Sequence, residues 1–218
     1  MPRLVWVGLH AAQVVASLWI LLGGGYQTVG GWFGAGWFPG DLGRRAVLAA
    51  FAVILWVRMT VTAVYILRRR FGWGESLPVL FATALYQWGF AMLGGGARGP
   101  LDLLDWSGIG LYIAGSYLNT GSELQRRAFK ARPENAGRLY TGGWFAFTRH
   151  PNYLGDTLWG LGWGLVTHNP WSAVIVAIEV GGFLFSQIPA LDRYLESRYA
   201  DAYRAWARKT KRFLPFVY

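Results

Sequence analysis

The residue types that could carry chemistry gather between Asn119 and Asp156. Asn119, Glu123, Arg126, Arg127 and Lys130 recur at offsets of 4, 7, 8 and 11, which places them on one face of a helix. Arg132 and Arg138 follow in a loop punctuated by Pro133 and Gly137. Such a run of cations suits a multiply charged anion, because guanidinium forks match phosphate oxygens two bonds at a time. It also suits a solvated face that only obeys membrane topology, and both readings stand at this point.

A second group is Thr148-Arg149-His150-Pro151-Asn152-Tyr153-Leu154-Gly155-Asp156. Proline favours the first turn of a helix, so Arg149 and His150 are expected at a helix mouth, where backbone N–H groups hold anions. Arg149, Tyr153 and Asp156 are spaced i, i+4, i+7, and Asn152 and Asp156 i, i+4. All four can point into one pocket. An ionisable Asp156 inside an apolar span is a functional candidate by default, the structural alternative being a pair with Arg149. Gly155, Gly160, Gly162 and Gly164 permit close packing of helices or close approach of a ligand.

Other ionisable groups in apolar surroundings are Glu75 near Trp73, Arg58 one turn from Thr62, and Glu179. Each lines a cavity or completes a structural pair. His10 and His168 read as structural or interfacial. No His and carboxylate set has metal-ligand spacing, so no metal is expected. No Ser, His and Asp set suggests a nucleophile, and no GxGxxG follows a strand. Cysteine is absent, which excludes disulfides, Cys-ligated zinc, Fe–S clusters and thiol catalysis.

The elements that must position these groups are membrane helices. Hydrophobic residues make up 54 % of the 218 residues and charged residues 15 %, against roughly 25 % charged in soluble domains. Six apolar runs are expected to span: Leu4–Gly23, Ala46–Leu67, Leu77–Gly96, Leu103–Asn119, Tyr153–Val166 and Trp171–Ile188. The first is expected to be retained and not cleaved as a signal peptide. Trp32, Phe33, Trp37 and Phe38, set among glycines, predict an interfacial aromatic loop over 30–40, with room for a re-entrant segment.

With the N-terminus inside, the inner loops hold Arg68-Arg69-Arg70, the stretch from Arg126 to Arg149 and the tail from Arg193 to Arg212. The outer loops hold Asp41, Arg44, Arg45, Arg98, Asp102 and Asp105, whose charges nearly cancel. The net charge of +10 then sits largely on the cytoplasmic side and does not imply nucleic acid. Asp192–Arg212 is expected to form an amphipathic helix on the inner face, with Leu195, Tyr199, Tyr203 and Trp206 on its apolar side and Pro215 ending it.

Gly121-Ser122-Glu123-Leu124-Gln125, Phe129-Lys130, Gly137-Arg138-Leu139, Gly142-Gly143-Trp144, the octapeptide Arg149 to Asp156, and the ending with Tyr199, Tyr203 and Phe213-Leu214-Pro215-Phe216 together resemble the C-terminal half of the membrane sterol reductases. Their relatives include the steroid 5-alpha-reductases. The resemblance covers roughly the last hundred residues. It implies an all-α polytopic membrane protein, a single membrane domain in which residues 1–118 serve the lipid and residues 119–218 the cofactor. That enzyme would take NADPH from the cytosol and reduce a carbon–carbon double bond of a sterol, isoprenoid or other lipid. By position, Asn119 and Glu123 would face the adenosine or ribose portion, and Arg126, Arg127, Lys130 and Arg138 the phosphates. Trp144, Arg149, His150, Asn152 and Tyr153 would surround the diphosphate and nicotinamide ribose. Asp156 would lie near the carboxamide, and Asp192, Arg193 and Tyr203 would close the pocket. Hydride would add to one carbon, and Tyr153, Glu75 or a water would supply the proton. A bacterial inner membrane is the expected location, with both termini cytoplasmic and a membrane lipid as the partner.

The sequence shares its Arg-His-Pro-x-Tyr element and tail with isoprenylcysteine and phospholipid methyltransferases. These use S-adenosylmethionine and carry paired glutamates where this chain has Leu191-Asp192. A cofactor without phosphates has little need of Arg126, Arg127, Lys130 and Arg138 together, which favours the reductase.

Overall fold

The computed structural model describes residues 2–67 and 72–218, and of Pro2 and Glu75 only the backbone. The Arg68-Arg69-Arg70 topology signal lies outside the described residues. The chain is built from helices: α1 Pro2–Leu22, α2 Gly25–Trp32, α3 Leu42–Val61, α4 Trp73–Gly94, α5 Leu103–Ala131, α6 Pro151–Val166, α7 Ser172–Gly182 and α8 Ile188–Lys209. Short π-helical turns at Thr62–Ile66 and Phe183–Gln187 extend α3 and join α7 to α8. Among the described residues there is no strand, only a bridge between Thr148 and Lys211.

Among the described residues, four helical stretches are long and apolar enough to cross a membrane: Arg3–Leu22, Leu42–Ile66, Ser76–Gly94 and Ser172–Lys209. This is the build of an integral membrane protein. α5 has 29 residues, but its second half is the polar run from Asn119. α6 has 16, short of the ~20 that cross hydrocarbon. In place of the expected loop, α2 occupies the start of the aromatic segment, and Trp37 stacks on Tyr26 at 5.3 Å.

The chain divides into two compact units, 1–112 with 160–176, and 113–159 with 177–218. In the first, α1 presents His10, Gln13 and Ser17 to α4. Gln13 donates to the Leu80 carbonyl at 2.9 Å and accepts from the Thr83 hydroxyl at 2.8 Å, and Ser17 donates to the Gln87 carbonyl at 3.0 Å. Such polar contacts hold helices together where packing carries no hydrophobic gain. Around them Phe51, Phe90, Tyr112 and Trp163 form a buried aromatic cluster.

The start of α5 is a reciprocal cap. Asp102 accepts from the Leu104 N–H at 2.8 Å, and Asp105 accepts from the Asp102 N–H at 2.9 Å. Asp105 is fully buried and takes two bonds from the Arg44 guanidinium, at 2.9 and 2.8 Å. Arg44 also donates to the carbonyls of Arg98, Gly99 and Pro100. His168 reaches the same carboxylate at 3.1 Å from a backbone with φ +52°, a left-handed geometry that costs of order 1–3 kcal/mol. Asp102, Asp105 and His168 are close enough to share a cation. Both Asp105 oxygens are already engaged by Arg44, so the group is an ion-pair network with its positive charge built in.

In the second unit, α5 and α6 cross at glycine. A Cβ on Gly155 would lie 2.5 Å from the Asn119 backbone nitrogen, so no larger residue fits there. Of the two roles expected for these glycines, close helix packing is the one seen at Gly155. α8 is bent at Ala200, whose φ is +41°. Tyr203 and Trp206 pack on Phe145, with Leu139, Tyr140, Leu195 and Tyr199 around them. The helix ends at Lys209, ahead of Pro215. Thr148 then pins the tail, its hydroxyl donating to the Phe213 carbonyl at 2.8 Å.

Candidate functional site

The residues expected to hold the cofactor or supply the proton all belong to the second unit except Glu75, and there they form three neighbourhoods. The first lies between α5 and α6. The Asn119 amide donates to Asp156 at 2.8 Å and to the Asn152 carbonyl at 3.1 Å. The Trp159 indole donates to the same Asp156 oxygen at 2.7 Å. The glycine crossing brings the helices close enough for these bonds, and they fix the Asp156 carboxylate. One turn further along α5, Glu123 is ion-paired to Arg126, whose guanidinium lies over the Phe145 ring at 5.9 Å. The Trp144 backbone N–H donates to Gln125 at 3.1 Å.

The second neighbourhood is centred on Asp192 of α8. Thr148 and Lys211 set the start of α6, where the Arg149 N–H donates to the Lys211 carbonyl at 2.8 Å. Arg149 and His150 then both face Asp192, at 3.6 and 3.0 Å. Arg212 approaches its other oxygen at 3.0 Å, and the Arg149 guanidinium donates to the Tyr203 hydroxyl. The Nε of Arg149 is buried without a hydrogen-bond partner among the described residues. Arg149, Asp192, Arg193, Glu196, Tyr203, Arg204, Arg208 and Arg212 are among the residues lining a cavity of about 560 Å3.

His150 is 1 % exposed. Its burial lowers its pKa, against the opposing pull of the Asp192 carboxylate, so neutral His150 donates from Nε2 to Asp192. Between the lowered folded value and the ordinary value of about 6.5, the unfolded chain binds the extra proton. The stability this group contributes is therefore complete above pH ~6.5 and is lost as pH falls below it. The melting temperature of solubilised protein should drop on acidification from pH 7 to 5, and by less in His150→Gln. An equal drop in both proteins would contradict this assignment.

The third neighbourhood uses other residues of α8, from Arg198 to Lys209. Lys130 donates to the Tyr199 hydroxyl at 2.7 Å and to the Arg138 carbonyl at 2.6 Å. Beside them is a cavity of about 830 Å3 with Arg138, Arg198 and Lys209 on its wall and, among the described residues, no carboxylate. Leu139, Ala146, Ala202, Ala205 and Trp206 supply its apolar lining.

The structure thus joins Asn119, Asn152 and Asp156 in one network, and Arg149, Asp192, Arg193 and Tyr203 at one cavity with His150 bonded to Asp192. Lys130 and Arg138 meet at a different cavity. Arg126 is engaged by Glu123, and the Tyr153 ring lies against Phe183 at 4.7 Å. Arg149, Asn152, Tyr153 and Asp156 do not share one set of partners. Glu75 is in α4, and its side chain is outside the described residues. Sequence reasoning left Arg198, Lys209 and Arg212 among the undifferentiated charges of the tail. In the structure Arg198 and Lys209 line one cavity and Arg212 the other.

Residues 76–210 match the family described as protein of unknown function DUF1295. The chain belongs to this family. Among curated proteins it is similar to "Probable O-methyltransferase ustE" of Ustilaginoidea virens, 34 % identical over 97 residues, 42 % of this chain and 33 % of that protein. It is 33 % identical over 88 residues to protein-S-isoprenylcysteine O-methyltransferase B of Arabidopsis thaliana, 40 % of this chain and 45 % of the relative. Steroid 5-alpha-reductase DET2 of the same plant is 28 % identical over 113 residues, 51 % of this chain and 41 % of the relative. The alignments span half or less of each of these three relatives. Members of the DUF1295 family therefore share sequence both with methyltransferases and with a steroid reductase.

Proposed function

We propose that this DUF1295 protein is an integral membrane enzyme that reduces a carbon–carbon double bond of a sterol, isoprenoid or other lipid with NADPH. The observation that carries the reading is the cavity with Arg138, Arg198 and Lys209 on its wall and, among the described residues, no acidic one. A nucleotide bearing an extra phosphate needs an extra cation, and the alanines and Trp206 leave an apolar surface for its base. The second cavity sets five arginines against two carboxylates, and the buried, unpartnered Nε of Arg149 is a donor suited to a further phosphate oxygen.

NADPH, when bound, supplies the hydride. This chain's residues hold and orient. Asp156, fixed by Asn119 and Trp159, is an acceptor for a carboxamide N–H. Asp192 keeps Arg149 and His150 in place, and Tyr153 or Glu75 is the proposed source of the proton, with water as the alternative. The apolar first half of α5 together with α6 would complete six spans, with both termini on the cytoplasmic side of a bacterial inner membrane. Residues 1–118 would serve the lipid and residues 119–218 the cofactor.

A second reading has its own support: the relatives named as methyltransferases align over the same C-terminal region. An S-adenosylmethionine enzyme would leave Arg138, Arg198 and Lys209 without an anion. Replacing Arg198 and Lys209 by alanine separates the two. A charge-assisted hydrogen bond contributes about 1.5–3 kcal/mol, so NADPH affinity should fall at least tenfold per cation, while NADH affinity changes little. Equal losses for both nucleotides would overturn the phosphate assignment.

A further inference from the structure

Residues 213–218 of the second unit form an ordered turn whose apolar side chains face outward. The Phe213 N–H donates to the Tyr218 backbone oxygen at 2.6 Å, and the Val217 and Tyr218 N–H groups donate to the Leu214 carbonyl at 3.2 and 3.1 Å. Arg212 donates to the Tyr218 hydroxyl at 3.2 Å, and Thr148 holds the Phe213 carbonyl. Within this frame Phe216 is 80 % and Val217 72 % exposed. Phe216 also has φ +66°, a left-handed backbone that is an outlier for a bulky residue. Strain of this kind clusters at functional positions.

The turn sits at the end of an apolar run. Its buried ring, Phe213, packs with Phe183 and Ile188, where the run that starts at Trp171 gives way to Asp192 and Arg193. Phe185, in the same π-helical turn as Phe183, is 86 % exposed, as a lipid-facing residue would be. Aromatic side chains concentrate at this level of a membrane protein, between hydrocarbon and water. Cations gather there too: residues 202–218 hold five Arg and Lys and no Asp or Glu, and Lys211 is exposed. α8 does not present the apolar face expected of it to the membrane, because Tyr203 and Trp206 are buried with Phe145.

We propose that the turn 213–218 docks on the surface of a bilayer containing anionic phospholipid, with Phe216 and Val217 entering the acyl boundary and Lys211 meeting the lipid phosphates. Apolar side chains beside a basic, acid-free segment are the build of an interfacial membrane contact. A second copy of this chain would bring the same cations to the contact and be repelled. The inference stands independently of which cofactor the second unit takes.

Cysteine is absent, so Val217→Cys gives a single attachment point for a fluorescent label. The test uses the full chain in nanodiscs of phosphatidylcholine alone or mixed with phosphatidylglycerol, with doxyl-labelled lipid as the quencher. Quenching should be strong in the mixed discs and weak in phosphatidylcholine, and added salt should narrow the difference. A lysine near an anionic surface adds about a fivefold preference for it, so Lys211→Gln should lower the docked-to-undocked ratio in mixed discs by about that factor. Phe216→Gly keeps the turn, because glycine accepts its backbone, and should reduce quenching without lowering the melting temperature in detergent. Equal quenching in the two kinds of disc overturns the proposal, as does no quenching in either. A Phe216→Gly protein that melts earlier and is quenched as before would make the ring structural, and overturns it. Quenching that appears only with two chains per disc would put a second copy on the turn, and overturns it too.

Discussion

Replacing Asp192 with alanine is expected to cost about 3–5 kcal/mol of stability, the cost of breaking a buried ion pair by removing one partner. The carboxylate has 9 % of its side chain exposed and faces Arg149, His150 and Arg212. Without it, Arg149, 11 % exposed, keeps its charge with the Tyr203 hydroxyl to accept from its guanidinium, and His150 loses its acceptor. Arg212 is 37 % exposed, so solvent screens its share and the cost should fall toward the lower end of the range. The melting temperature of the solubilised variant is the check, and Asp192→Asn, which retains an acceptor for His150, should lose less. A variant as stable as the parent protein would show that the cluster is not the tie between α8 and the start of α6.

The second large effect is expected at Arg44. Its alanine variant leaves the fully buried Asp105 carboxylate with His168 and the Asp102 N–H but without its guanidinium, and removes the donors from three backbone carbonyls. The loss should again be about 3–5 kcal/mol. Arg44→Lys should recover only part, because an ammonium cannot reproduce the paired geometry of the guanidinium. Arg44→Ala with Asp105→Ala should cost less than the sum of the singles, because the second change removes the stranded charge. Additive losses in this cycle would contradict a coupled pair.

The contrast between these two clusters shows what the sequence makes legible. Apolar runs announce helices α1, α3 and α4, because a span must be apolar over its whole length. Pro151 correctly announces the start of α6, and the glycines announce its close crossing with α5. Arg44 and Asp105, by contrast, look like outer-loop charges that cancel at a distance, and the fold buries them together in a bidentate pair. The spacing of Arg149, Tyr153 and Asp156 suggests a shared pocket. In the structure Asp156 is bound by Asn119 and Trp159, and Arg149 turns to Asp192, a partner no local pattern identifies. Alanine is a good helix former, so nothing at Ala200 announces a left-handed residue inside α8. The tail cations divide by helical spacing: Arg198 and Lys209 line one cavity, and Arg193, Arg204 and Arg208 the other.

The central claim is that the cations of the second unit grip a phosphate-bearing nucleotide. Its most direct test is binding of NADPH and of S-adenosylmethionine to the same detergent-solubilised protein, read as the shift in melting temperature. A ligand that prefers the folded state raises that temperature. NADPH should raise it, NADH should raise it less, and S-adenosylmethionine should leave it unchanged. Stabilisation by S-adenosylmethionine with no response to NADPH would contradict the account and assign the chain to methyl transfer.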